Sequence, residues 1–191
     1  MNGNKPPAEG WSFAWRRFRQ PLSPEDIEYV ECTPDLQLHD PLELDPDAMA
    51  ALGVKHLLFD LDGTLVSNSP APGRLIIEPF LLAHLHRLYT DERFASLSLA
   101  TNNRRFLDEV ALQIGENIRV FQPTSLGDDY EETFKHNPRF YELILAELGC
   151  SDTPQAVVMI GDSRRYDILP AQQMGMKTVL VDRLQRELSR A

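Results

Sequence analysis

Cysteine is scarce in this 191-residue chain: Cys32 and Cys150 are the only two, and they lack the paired spacing of a zinc site. A disulfide-stapled secreted scaffold is thereby excluded. Also missing is any apolar run of about 18 residues, so no transmembrane helix is expected. Residues 1–20 contain no apolar stretch followed by a small-residue cleavage site, so no signal peptide is expected either. Positive charge is the third shortage, with 19 Lys+Arg against 29 Asp+Glu and a net charge of −10. A general nucleic-acid binder needs the opposite balance to displace counterions from phosphates. No internal repeat is visible. With 42% apolar residues, the length suits one cytoplasmic domain, or one with an appended segment, and a real core.

The charge that is present is unevenly placed. Residues 1–19 are basic through Lys5, Arg16, Arg17 and Arg19. Residues 25–47 hold nine acids (Glu25, Asp26, Glu28, Glu31, Asp35, Asp40, Glu43, Asp45, Asp47) and no Lys or Arg. Seven of the 14 prolines also fall in this front part. Because proline removes a backbone donor and fixes φ, long helices and central strands are disfavoured there. Residues 1–50 therefore read as a Pro-rich, acidic arm, ordered only if it lies on the domain of residues 51–191.

From Val54 onward strand and helix signals alternate. Val54–Asp60, Ser96–Thr101, Ile118–Gln122, Ala156–Gly161 and Lys177–Val181 are short apolar runs that suit buried parallel strands. Between them, Glu78–Tyr89, Arg104–Ile114, Pro138–Leu148 and Tyr166–Met174 have helical periodicity, with Pro170 requiring a kink or a late start in the last. Residues Arg183–Arg190 read as a final amphipathic turn or two. The expectation is an α/β fold with a doubly wound, parallel, five-stranded sheet. Ligands of such sheets sit beyond the carboxyl ends of the strands.

Four sequence features fall at those ends: Asp60-Leu61-Asp62-Gly63-Thr64-Leu65, Thr101-Asn102-Asn103, Lys135-His136-Asn137-Pro138 and Gly161-Asp162-Ser163-Arg164-Arg165-Tyr166-Asp167. Two carboxylates at i and i+2 reach one site if the chain bends after Asp60, and Gly63 permits the bend. Hard carboxylate oxygens suit Mg²⁺. A carboxylate can attack a phosphoryl group as a nucleophile. A hydroxyl, backbone donors and a lysine supply fixed positive potential for the transferring oxygens.

In order and spacing, these four segments resemble the motifs of the haloacid dehalogenase (HAD) superfamily, over residues of about 54 to 182. The resemblance implies a Rossmann-like core and a Mg²⁺-dependent phosphomonoester hydrolase. It implies Asp60 as the nucleophile that becomes an aspartyl-phosphate, and Asp62 as general acid and then general base. Thr101 and the Asn102 backbone would bind a phosphate oxygen, and Lys135 would neutralise phosphate charge and orient Asp60. Asp162 would ligate the metal with Asp60 and the main-chain carbonyl of Asp62. Asp167 would ligate it directly or support it from behind. The chain departs from the family in having His136 directly after the lysine, where proline is frequent, with Pro138 two residues on.

Spacing bears on the cap. There are 38 residues between Asp62 and Thr101 and 33 between Thr101 and Lys135. Neither interval can hold both the core elements and a cap domain of about 60 residues. A capless, open site is expected, with residues 66–74 as a short flap-like loop. The Pro-rich lead-in, Leu52-Gly53-Val54-Lys55 and the double asparagine are similar to the subfamily of YqeG-type proteins and phosphatidylglycerophosphate phosphatases. That resemblance implies a phosphorylated small molecule or a phospholipid head group as substrate. A non-catalytic scaffold working through its arm is the alternative from another class.

Other features stay open at this level. Residues 11–19 (WSFAWRRFR) would place Trp11, Trp15 and Phe18 on one face of a helix, suited either to peripheral contact with an anionic membrane or to packing on the domain or another subunit. His84 and His86 do not share a helix face and make poor joint metal ligands. Arg164 and Arg165 either meet an anionic substrate or are solvated. Oligomeric state is not legible.

Overall fold

The structure is a computed structural model that describes residues 32–66, 76–104, 107–126 and 133–182. The aromatic segment 11–19, most of the flap-like loop and the final turn at 183–190 lie outside the described residues. The strands are β1 (Leu36–Leu38), β2 (His56–Phe59), β3 (Ser96–Ala100), β4 (Arg119–Phe121), β5 (Val157–Gly161) and β6 (Lys177–Val181). They form one parallel sheet in the order β1-β6-β5-β2-β3-β4. From β2 the chain winds outward to β3 and β4, then crosses back to β5 and winds the other way. The point where direction reverses lies between β2 and β5, the position where such sheets bind ligands.

The short apolar runs form central strands because both faces are covered. Leu57, Phe59, Val158 and Ile160 point into one core layer, while Leu58, Val157 and Met159 point into the other. The first layer is closed by α1 (Pro46–Ala51), α2 (Pro79–Tyr89) and α3 (Leu107–Ile114), through Met49, Leu81, Leu85, Leu88, Val110 and Ile114. The second is closed by α5 (Pro138–Glu147) and α6 (Leu169–Gln173), through Phe140, Tyr141, Ile144, Leu145 and Ala171. A one-turn α4 (Pro123–Leu126) follows β4. No helix among the described residues is long and apolar enough to cross a membrane.

Two expectations need correction. The sheet has six strands rather than five, and the additional one comes from the segment read as an arm. β1 pairs with β6, aligning Leu36 with Val179 and Leu38 with Val181. The Asp35 carboxylate accepts the Thr178 N–H at 2.8 Å and its hydroxyl at 3.0 Å, which pins the strand. Leu44 and Met49 are buried in the first core layer. Residues 32–50 therefore belong with the domain, and the boundary at residue 50 moves towards the N-terminus. Pro41 and Pro46 mislead because each begins a helical turn instead of breaking one. Asp40 caps the 3₁₀ turn Pro41–Glu43 and Asp45 caps α1, each accepting the N–H two residues on, at 3.0 and 2.9 Å. Proline suits the first helical position because its missing donor would be unpaired there anyway. Asp40 and Asp45 of the acidic run thus serve as helix caps through exposed hydrogen bonds.

The helix expected over Tyr166–Met174, with a kink or a late start at Pro170, takes the second form. The chain makes a π turn over Arg164–Ile168 and becomes α-helical only at Leu169, so Pro170 falls in the first turn of α6. This is the late start that Pro170 demands.

One buried histidine is expected to make stability depend on pH. His84 of α2 is buried and accepts at Nδ1 from Arg87 Nη2 at 3.1 Å. Burial and then the Arg87 charge hold its pKa below the ordinary value of 6.5. As pH falls below that value the unfolded chain takes up a proton that the folded chain resists, so stability declines with acidification. His84→Leu is expected to lose less stability than wild type between pH 7 and pH 5 in thermal-unfolding series. His56, also held low by burial and by Arg119, should preserve part of the slope. Identical slopes in the two proteins would rule out this role.

Candidate active site

The loop after β2 folds back sharply. Leu65 and Val66 donate to the Leu61 carbonyl at 2.9 and 3.0 Å, and Gly63 has φ of +86°, a conformation costly for any residue with a Cβ. The turn carries Thr64 back under Asp60, where its hydroxyl donates to Asp60 Oδ2 at 3.1 Å. The other oxygen, Oδ1, accepts from Lys135 Nζ at 2.5 Å. Lys135 arrives from the loop preceding α5, is almost fully buried, and also donates to the Ala100 carbonyl at the end of β3 at 2.9 Å. Its third neighbour is Asp167 Oδ1 at 2.6 Å, an ion pair. Burial alone would lower the lysine pKa, but the Asp167 and Asp60 charges outweigh it and hold the ammonium protonated.

Asp167 depends on the π turn. Its Oδ2 accepts the Ser163 N–H at 2.9 Å and its own N–H donates to the Ser163 carbonyl at 2.9 Å. Burial pushes its pKa up, opposed by Lys135. The carboxylate lies against Gly161 so closely that a Cβ there would stand 2.3 Å from Oδ2. Gly161→Ala is therefore expected to push Asp167 out of place, destabilising the fold by roughly 1–3 kcal/mol through overpacking. Urea unfolding checks that loss, and an unchanged midpoint would mean that the carboxylate is free to move.

Asp60, Asp162 and Asp167 bring one carboxylate oxygen each to within 4.8 Å of one another. All three donors are carboxylate oxygens, and Lys135 Nζ lies 2.5 Å from Asp60 Oδ1 and 2.6 Å from Asp167 Oδ1. This donor set fits a hard divalent cation such as Mg²⁺. The carboxylate of Asp62 stands outside the cluster and accepts from Asn103 Nδ2 at 3.1 Å. Burial raises the Asp62 pKa, while the Asn103 bond favours the charged form. A carboxyl with a raised pKa beside a second carboxylate is suited to hold and deliver a proton.

Thr101 is buried at the end of β3 and its hydroxyl accepts the Asn103 N–H at 2.9 Å. Asn102 Oδ1 accepts the Lys135 N–H at 3.2 Å, so its side chain ties the second segment to the third. Thus Asp60, Asp162, Asp167 and Lys135 converge directly, and Asp62, Thr101 and Asn102 border them. His84 and His86 are not joint ligands: His84 pairs with Arg87, and His86 Nε2 lies 2.7 Å from the Gln113 carbonyl. Arg164 donates to the Cys32 carbonyl and lies along the chain leading into β1. Sequence reasoning gave no role to Thr64, Gly161 or Tyr141. The first two stand inside the quoted motifs and are visible there; Tyr141 carries no local signal at all.

Residues 134–183 match a family model described as HAD-hydrolase-like. The match supports a place in the HAD superfamily. It takes in Lys135, Asp162 and Asp167 and ends just beyond β6, while Asp60, Asp62 and Thr101 lie before it. No curated protein matches the chain. The HAD-like segment and the carboxylate cluster together support a hydrolase, with the parallel α/β core of that superfamily.

Proposed function

We propose that the chain is a Mg²⁺-dependent phosphomonoester hydrolase working through an aspartyl-phosphate on Asp60. The observation that carries this reading is the clamping of a buried Asp60 by Lys135 and Thr64 beside two further carboxylates. Lys135 and Thr64 fix the carboxylate for in-line approach, which removes orientational cost from the attack. An Asp60 oxygen bonds to phosphorus as the ester P–O bond breaks, and Asp62 passes its proton to the leaving oxygen. Asp62, now ionised, takes a proton from water as that water attacks phosphorus. The P–O bond to Asp60 then breaks and inorganic phosphate leaves. Asp60, Asp162 and Asp167 would hold the Mg²⁺, which supplies charge neutralisation for the transferring phosphoryl oxygens. Thr101 and the Asn102 backbone stand at the end of β3, where they would bind one of those oxygens.

Hydrolysis of a simple aryl phosphate, measured with Mg²⁺, with EDTA and after Mg²⁺ is restored, tests the reading. Turnover that follows the metal is expected, together with a phosphoryl adduct on the Asp60 peptide by mass spectrometry. Absence of Mg²⁺-dependent turnover across a panel of phosphomonoesters would overturn it in favour of the non-catalytic alternative. Phosphatidylglycerophosphate belongs in that panel, because the narrower subfamily resemblance implies a lipid head group. The spacing of the motifs supports an open site that would admit bulky esters.

A further inference from the structure

We propose that Tyr141 and Tyr166 form a clamp that positions Asp167 for the divalent cation, an inference that rests on reading Asp60, Asp162 and Asp167 as the metal site. Tyr166 immediately precedes Asp167 and is gripped at two places. Its carbonyl accepts from the Tyr141 hydroxyl of α5 at 2.6 Å. Its ring meets Phe134 edge-on at 6.0 Å and His136 at 6.4 Å, the two residues flanking Lys135. Phe134 and His136 are themselves 5.4 Å apart. The loop that sends Lys135 Nζ to Asp167 Oδ1 thus also holds the residue before Asp167.

Backbone chemistry explains why the carbonyl needs an outside donor. Four residues beyond Tyr166, where an α-helix would supply an N–H, stands Pro170, which has none. The chain responds with a π turn, in which Ile168 N–H donates to the Ser163 carbonyl and Leu169 N–H to the Arg164 carbonyl. Insertions of this kind recur at functional sites because they re-aim a side chain within a helix. Here the turn brings Asp167 Oδ2 back to the Ser163 N–H and against Gly161. Tyr141 then supplies the donor that Pro170 cannot. It is wholly buried, and burial with the nearby Asp167 and Asp60 charges keeps its hydroxyl protonated. His136, the residue that departs from the family pattern, has a use here as part of the grip on Tyr166.

Tyr141 is accordingly a positioning residue, and Mg²⁺ affinity without substrate is the property that reports on it. Isothermal titration of the full metal-free chain with MgCl₂ gives that affinity independently of turnover. Tyr141→Phe removes only the hydroxyl and is expected to weaken Mg²⁺ binding about tenfold, the size typical of groups that orient a metal ligand. In an Asp167→Asn background the same change should alter affinity by less than about twofold, because its route to the metal is gone. Ile144→Val on the same helix should lower the melting temperature and leave Mg²⁺ affinity alone. If Tyr141→Phe does not fold, Tyr166→Leu at the exposed ring decides, with weaker Mg²⁺ binding expected. Wild-type affinity in Tyr141→Phe, or an equal loss in the Asp167→Asn background, would overturn the clamp. A wild-type chain that binds no Mg²⁺ would instead overturn the metal site itself, and the clamp with it.

Discussion

Asp60→Asn is expected to lower kcat on an aryl phosphate by about 10⁴-fold or more, the scale of losing a covalent nucleophile. Asn has the shape of Asp: its amide oxygen can still accept from Lys135 Nζ, and its amide NH2 can donate to the Thr64 hydroxyl oxygen that now lies 3.1 Å from Asp60 Oδ2. What it loses is the negative charge that the proposed attack on phosphorus requires. The fold should survive, because Lys135 keeps Asp167 as a partner at 2.6 Å. Steady-state kinetics at saturating Mg²⁺, run beside a thermal melt, separates lost chemistry from lost structure. A folded Asp60→Asn protein with activity within about tenfold of wild type would remove the nucleophile assignment. Loss confined to KM would point to uniform binding in place of covalent chemistry.

Lys135→Met should act first on stability. Asp60 and Asp167 are both buried, and the ammonium between them lies 2.5 and 2.6 Å away. Removing one partner of such an arrangement leaves uncompensated buried charge, at a cost of about 3–5 kcal/mol near neutral pH. The pH dependence follows from linkage. Without the lysine, the Asp167 pKa, already pushed up by burial, loses the charge that opposes that rise, so the folded chain binds more protons than the unfolded one. The deficit relative to wild type is therefore largest at neutral pH and shrinks as pH falls towards the carboxylate range. Urea unfolding at pH 7 and pH 5 measures both. A loss below about 1 kcal/mol at pH 7 would mean that the two carboxylates are neutralised by something other than Lys135.

Much of the core was legible from residue pattern. The five apolar runs predicted as strands appear within two residues or so of their expected ends, because a strand covered on both faces must be apolar throughout. Helices α2 and α5 begin at Pro79 and Pro138 as their periodicity and proline positions require. β1 was not legible: three residues, Leu-Gln-Leu, carry too little alternation to stand out within a proline-rich acidic stretch. Its identity depends on Asp35 meeting Thr178, 143 positions away. The two Asp-Pro pairs at Asp40-Pro41 and Asp45-Pro46 were readable as helix starts, since both residue types favour that junction.

What the sequence determined alone was the chemistry at the strand ends: which carboxylates, hydroxyl and lysine a phosphoryl-transfer site would draw on, and that parallel strands would carry them to one edge. Those follow from residue type and from periodicity, which are local. Tertiary structure decided which of these groups touch. It placed Lys135 between Asp60 and Asp167, sent Asp62 to Asn103 instead of to the carboxylate cluster, and left only Gly161 room beside Asp167. It also joined residues 32–50 to the sheet and set Tyr141 against the carbonyl that Pro170 leaves without a helical donor. The physical reason is the same in each case. A buried charge or an unpaired backbone group must find a partner, and that partner lies wherever the fold brings the chain near, which residue order does not state.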